Sequence, residues 1–227
     1  GIKGYVQESL FDENAMNDVI SNFMLPDVTI NANIQEAEYK NWNEEWEEAG
    51  FERININDSI TIYDARHDDG NGIASGISIG IETKQAFGTG THETTRMIVS
   101  TLLNIDIKGK RVLDCGCGTG LLGIAASKLG ASEVVGYDID EWSSENAIHN
   151  AELNGVGNMK VMLGDASVLK SVEGKFDVVL ANINRNILLA DMPAFVSVMA
   201  DDSLLILSGF YASDVDLLIE KASSLGL

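Results

Sequence analysis

Seven residues, Asp114-Cys115-Gly116-Cys117-Gly118-Thr119-Gly120, carry the chain's clearest chemical signal. They follow the apolar strand start Val112-Leu113 and lead into the apolar helical pattern Leu121-Leu122-Gly123-Ile124-Ala125-Ala126. A strand, a glycine-rich turn and a helix in that order form a nucleotide cradle. Glycines let the backbone approach a ligand closely, and a helix start presents free N–H groups. The spacing narrows the ligand. A dinucleotide fingerprint, Gly-x-Gly-x-x-Gly, would need its third glycine at 121, where this chain has Leu121. Asp138 closes the next strand, Val134-Val135-Gly136-Tyr137-Asp138, where a carboxylate can grip a ribose diol. A third group lies further on: Asn182 ends an apolar strand and is followed by Ile183, at the edge of a parallel sheet where ligands bind.

The elements that must hold these groups are readable from periodicity. Helices are expected over roughly 93–103, 121–129, 141–154, 185–199 and 214–223, and strands over 111–115, 133–138, 160–163, 176–181 and 203–208. Apolar strands alternating with helices imply an α/β fold, a Rossmann-like parallel sheet with helices on both faces. Ahead of it, Ile54, Ile56, Ile60 and Ile62 share parity, the period of a strand. The turn-rich Asp68-Asp69-Gly70-Asn71-Gly72 follows, and Ile77 to Ile81 is expected to close a hairpin with that strand. The front 35 residues suggest a short helix from Glu13 to Phe23 and a strand-like Val28-Thr29-Ile30, and 41–51 reads as a helical, tryptophan-bearing linker. There is no internal repeat.

Composition bounds the rest. Among 227 residues, 15 basic against 35 acidic leave a net charge of −20, half of it within residues 1–58. Such a balance opposes direct grip on a phosphate backbone, which needs Lys/Arg patches. It either steers a cationic partner or simply keeps the chain soluble. No run of 18 apolar residues suggests a membrane span, and no secretory signal is visible, so a cytoplasmic protein is expected. Cys115 and Cys117 read as reduced thiols inside the turn, and His67, His92 and His149 form no ligand-spaced cluster, so no metal is expected.

The form Gly-x-Gly-x-Gly preceded by Asp114 resembles motif I of class I methyltransferases, which bind S-adenosyl-L-methionine. A longer string is more specific. Ala86-Phe87-Gly88-Thr89-Gly90-Thr91-His92-Glu93-Thr94-Thr95, with Gly136-Tyr137-Asp138-Ile139-Asp140 and Ala181-Asn182-Ile183, resembles the ribosomal protein L-eleven methyltransferase family (PrmA). The likeness covers about 81–211 well. The segment Asn41 to Trp46 is similar to the family's linker, and the first 40 residues resemble its recognition domain loosely. The resemblance implies a partial α+β substrate-recognition domain over 1–40, a linker over 41–52 and a catalytic domain over 53–227. A class I sheet adds a sixth and a seventh strand beyond the helix at which this chain stops, and both are expected to be absent.

The resemblance also implies roles. Thr95 contacts the methionine part of the cofactor. Asp114 and the glycines Gly116, Gly118 and Gly120 form motif I, with Gly116 against the cofactor. Asp138 holds the ribose hydroxyls, and Asn182 with Ile183 lies where cofactor and acceptor amine meet. By analogy with other class I enzymes Asp165 borders the adenine; otherwise it is a solvated turn residue after the third strand. The same string without the resemblance reads as a capped helix start, with Thr91 as N-cap. The implied activity is methyl transfer to Lys side chains or an N-terminal amine of a basic large-subunit ribosomal protein free of ribosomal RNA. Other readings compete: the same fold acting on another protein or a small molecule, a nicotinamide-dependent oxidoreductase, or a non-catalytic cofactor-binding module. Leu121 argues against the oxidoreductase.

Overall fold

The computed structural model describes Val6 and residues 11–23, 30–35, 50–73, 76–83 and 90–227. The chain separates into two units, residues 1–40 and 41–227. In the first, α1 spans Glu13–Ser21 and is started by Asp12, whose carboxylate accepts the N–H groups of Asn14 and Ala15. The strand expected over Val28-Thr29-Ile30, the helical linker over 41–51 and the Ala86–Thr89 half of the glycine-threonine string fall wholly or mainly outside the described residues.

The second unit holds two sheets. β1 (Ile54–Ile56), β2 (Ile60–Asp64) and β3 (Ile77–Ile81) form the smaller one, in that order. It departs from the expected hairpin. The antiparallel pair is β1 with β2, and β3 runs parallel to β2, with Ile60 opposite Ile77 and Asp64 opposite Ile81. Asn57 and Asp58 take left-handed conformations, φ 49° and 53°, and turn the chain inside the stretch that reads as one strand. Ile56 pairs with Ile60 across a three-residue turn, so the parity of the isoleucines survives the reversal. A hairpin of that kind and a single strand leave the same alternation in the sequence.

α2 (Glu93–Leu102), β4 (Arg111–Cys115), α3 (Leu121–Lys128), β5 (Glu133–Asp138), α4 (Glu141–Leu153), β6 (Met159–Leu163), β7 (Phe176–Asn182), α5 (Arg185–Val198), β8 (Met199–Ser208) and α6 (Val215–Ser224) complete the unit. The larger sheet is parallel throughout, in the order β6-β5-β4-β7-β8. Alternate side chains feed two cores. Val112, Val134, Val178 and Leu180 pack with α2, α3 and the isoleucines of the small sheet. Leu113, Val135, Val179 and Ala181 pack with Leu188, Met192 and Phe195 of α5 and Leu218 of α6. A sheet covered on both faces explains the near-continuous apolar strands. Two further boundaries differ from expectation: β8 begins at Met199, directly after α5, and the N-cap of α2 is His92 rather than Thr91.

Candidate cofactor and acceptor site

β4 lies between β5 and β7, so the connections on its two sides diverge at its carboxyl end. A crevice forms where strand order reverses, and ligands bind there in open α/β sheets. In this chain it is a cavity of about 870 Å³, within the range of small-molecule sites. Seven of the residues singled out in the sequence line it together: Thr95, Gly116, Gly118, Asp138, Asp165, Asn182 and Ile183.

The glycine turn is built for close approach. Gly116, Gly118 and Gly120 have φ of 66°, 52° and 78°, values that side chains resist. A Cβ on Gly116 would sit 2.5 Å from Ile183 Cγ2, so this glycine lets the turn lie directly against the Asn182-Ile183 corner. Gly118 N–H donates to Asp138 Oδ2 at 2.9 Å, and Asp140 N–H donates to Asp138 Oδ1 at 3.0 Å. Each carboxylate oxygen keeps a further lone pair for a hydroxyl. Asn182 Nδ2 donates to the Thr95 hydroxyl at 3.3 Å, a bond that does not use its Oδ1 acceptor.

Asp114 and Gly120 stand behind the cavity instead of lining it. Asp114 is buried, its Oδ2 accepts Gly123 N–H from the first turn of α3 at 2.9 Å, and its Oδ1 has no partner among the described residues. Burial pushes its carboxyl up to about 7, with the Asp138 charge adding to the effect and the Gly123 N–H opposing it. It shapes the turn from beneath. Gly120 packs α4: a Cβ there would meet Ala147 at 3.1 Å. Asp165 combines its two readings. It caps the short 3₁₀ turn after β6 by accepting Ser167 N–H at 2.9 Å; the Ser167 side chain first, and this N–H second, hold its carboxyl below the usual range, and it also faces the cavity. The thiols of Cys115 and Cys117 are free and buried, and desolvation raises both well above the ordinary range, so neither is a reactive thiolate.

The sequence reading missed several lining residues. Gly209, Phe210 and Tyr211 follow β8, and a Cβ on Gly209, at φ 87°, would lie 2.5 Å from Ile183 O. Their signal was available, because they leave the carboxyl edge of a strand beside β7. Asp191 had none, being an ordinary position in the middle of α5. Burial, and secondarily the Asp165 charge, raise its carboxyl. Tyr137 also lines the cavity, its buried side chain set beside the Cys115 thiol.

The family model described as ribosomal protein L11 methyltransferase (PrmA) matches residues 2–227. The chain belongs to that family. A protein named ribosomal protein L11 methyltransferase from Phocaeicola vulgatus is 49% identical over 227 residues, all of this chain and 80% of that one. One of the same name from Bacteroides fragilis is 45% identical over the same shares. Among solved structures, the ribosomal protein L11 methylase of Lactobacillus delbrueckii subsp. bulgaricus aligns with TM-score 0.70 and 31% identity, covering 77% of this chain and 89% of that one. The precorrin-6y C5,15-methyltransferase of Geobacter metallireducens aligns with TM-score 0.54 at 15% identity, a likeness of fold alone. Membership and sheet order agree that the larger sheet is that of a class I methyltransferase. Among the described residues no helix is long and apolar enough to cross a membrane.

Proposed function

We propose that this chain transfers methyl groups from S-adenosyl-L-methionine to amines of the large-subunit ribosomal protein L11, on Lys side chains, the N-terminal amine, or both. The observation that carries the reading is the contact between the glycine turn and the Asn182-Ile183 corner. It sets a cofactor cradle against a group able to orient an amine. The residues present fit the cofactor. The cavity has the volume, and Asp138 has free acceptor capacity for a diol.

When bound, the cofactor supplies an activated methyl group on a sulfonium, with a neutral leaving group. The chain's work is then alignment, the large term in such a reaction. Asp138 holds the ribose, the turn at Gly116 and Gly118 and the hydroxyl of Thr95 hold the methionine end, and Asp165 borders the adenine. Asn182 Oδ1 and the Ile183 carbonyl accept N–H bonds from the acceptor amine and aim its lone pair. The amine must be neutral: a Lys side chain starts near pKa ~10.4 and an α-amine near ~8, so the α-amine needs less help. The acidic chain attracts a basic acceptor and is repelled by ribosomal RNA. The acceptor is therefore L11 free of RNA, met in the cytoplasm. Residues 1–40 serve as the recognition domain, 41–52 as the linker and 53–227 as the catalytic domain.

The test incubates the purified chain with S-adenosyl-L-methionine and either free L11 or L11 bound to its ribosomal RNA, and follows the mass of L11. Mass gains of one or more methyl groups on the free protein, slower as salt is raised, support the reading. A chain that binds cofactor yet leaves free L11 unmodified overturns the substrate assignment.

A further inference from the structure

Three asparagines four residues apart, Asn146 and Asn150 of α4 and Asn154 at its C-cap, follow one face of the helix. They treat β3 as a neighbouring strand would. Asn154 Oδ1 accepts Gly80 N–H at 3.0 Å and its Nδ2 donates to Gly80 O at 2.7 Å. Asn150 Oδ1 accepts Glu82 N–H at 2.9 Å, while its Nδ2 donates to Glu82 O at 3.1 Å. Asn146 Nδ2 reaches the same Glu82 carbonyl at 3.0 Å. Side-chain amides thus complete the edge of the small sheet.

Asn150 does something the other two do not. Its remaining amide hydrogen goes to Thr119 O, at 2.9 Å, inside the glycine turn. The side chain is fully buried, so those bonds compete with no solvent. Thr119 lies between Gly118, whose N–H rests on Asp138, and Gly120, which packs on α4. The same amide therefore ties two segments of the site: the turn that meets Asp138, and the strand whose continuation leads to Thr95 and its bond to Asn182.

We propose that Asn150 is a positioning residue for cofactor binding, holding the Thr119 carbonyl so that the Gly118 N–H and the Asp138 carboxylate keep their geometry. It rests on the reading of the glycine turn as the S-adenosyl-L-methionine site. Asn154 is the internal control, because it makes two equivalent bonds to β3 and none to the turn. Loss of either fastens β3 less firmly, but loss of Asn150 alone loosens the turn.

The experiment compares wild type, Asn150→Ala and Asn154→Ala by calorimetric titration with S-adenosyl-L-methionine, by thermal unfolding, and by amide hydrogen exchange of the segment 114–122. Both variants should unfold at lower temperature than wild type. Asn150→Ala should weaken cofactor binding ~10-fold, the loss of one buried hydrogen bond read through the turn, and speed exchange across Gly118 to Gly120. Asn154→Ala should bind within about twofold of wild type and leave that exchange unchanged. Equal effects of the two variants on affinity and exchange, or an Asn150→Ala protein that binds and exchanges like wild type, would overturn the proposal. Asn150→Asp keeps the shape and the acceptor for Glu82 N–H but loses the amide donor, and carries the same comparison if the alanine variant does not fold. Failure of wild type to bind cofactor would refute the reading of the cofactor site, and the exchange measurement would still decide the coupling.

Discussion

Replacing Asp114 by Asn should change how stability depends on pH. Asp114 is 1% exposed, so solvent does little to screen it. One of its oxygens receives Gly123 N–H and the other has no partner among the described residues, an arrangement that suits a protonated carboxyl. Its folded-state pKa is pushed from 3.8 up to about 7. The sign follows from proton counting. Between pH 4 and 7 the native state holds a proton that the unfolded chain has released, so stability falls as pH rises. Each unit corresponds to about 1.4 kcal/mol, and a shift of about three units to about 4 kcal/mol in all. The contribution is fully present below the unfolded pKa and gone above about pH 7. Asn keeps the acceptor for Gly123 N–H and cannot titrate. Urea unfolding of both proteins in steps from pH 5 to 8.5 isolates the effect. The stability difference, Asn minus Asp, should climb by about 1.4 kcal/mol per unit up to pH ~7 and then level off. Parallel stability curves across that range would refute the reasoning and mean that Asp114 stays ionised in its buried site.

Other expectations concern the site itself. Asp138→Ala removes the proposed acceptor for two ribose hydroxyls, at a cost of about 2–3 kcal/mol, or roughly 30- to 150-fold in cofactor Kd by calorimetry; unchanged affinity would remove Asp138 from the site. Asn182→Ala should lower kcat on the order of 10²-fold while cofactor Kd moves little, since orienting the amine matters mainly in the transition state. Collapse of cofactor binding with kcat preserved would make Asn182 a cofactor ligand only. A chain lacking residues 1–50 should still bind S-adenosyl-L-methionine but methylate L11 poorly in a mass-based assay. Full-rate transfer by that shorter chain would end the recognition role of its front segment.

Much of the larger unit was legible in the sequence because its signals are local. A glycine turn between a strand and a helix is written in consecutive residues, and an acidic residue at the end of the next strand lies at a short, countable distance. Buried parallel strands are apolar runs. Asp138, Gly116 and Asn182 could therefore be named before any coordinates, and all three line one cavity. Contacts across the fold decided the rest. Asp114 belongs to the same motif as Gly116, but only packing shows that it faces inward and supports α3. The pairing of β1, β2 and β3 was hidden because a three-residue turn preserves the parity of Ile54, Ile56, Ile60 and Ile62. Asp191 reaches the cavity because α5 lies beside β7, and nothing in its own neighbourhood announces it. The asparagines of α4 show the same division. Their spacing is plain in the sequence, but their bonds span 31 to 74 positions of chain, and only the folded arrangement sets Asn150 between Glu82 and Thr119. Chemistry confined to one turn is encoded by neighbours in the chain. Chemistry shared between elements depends on packing, which no local pattern specifies.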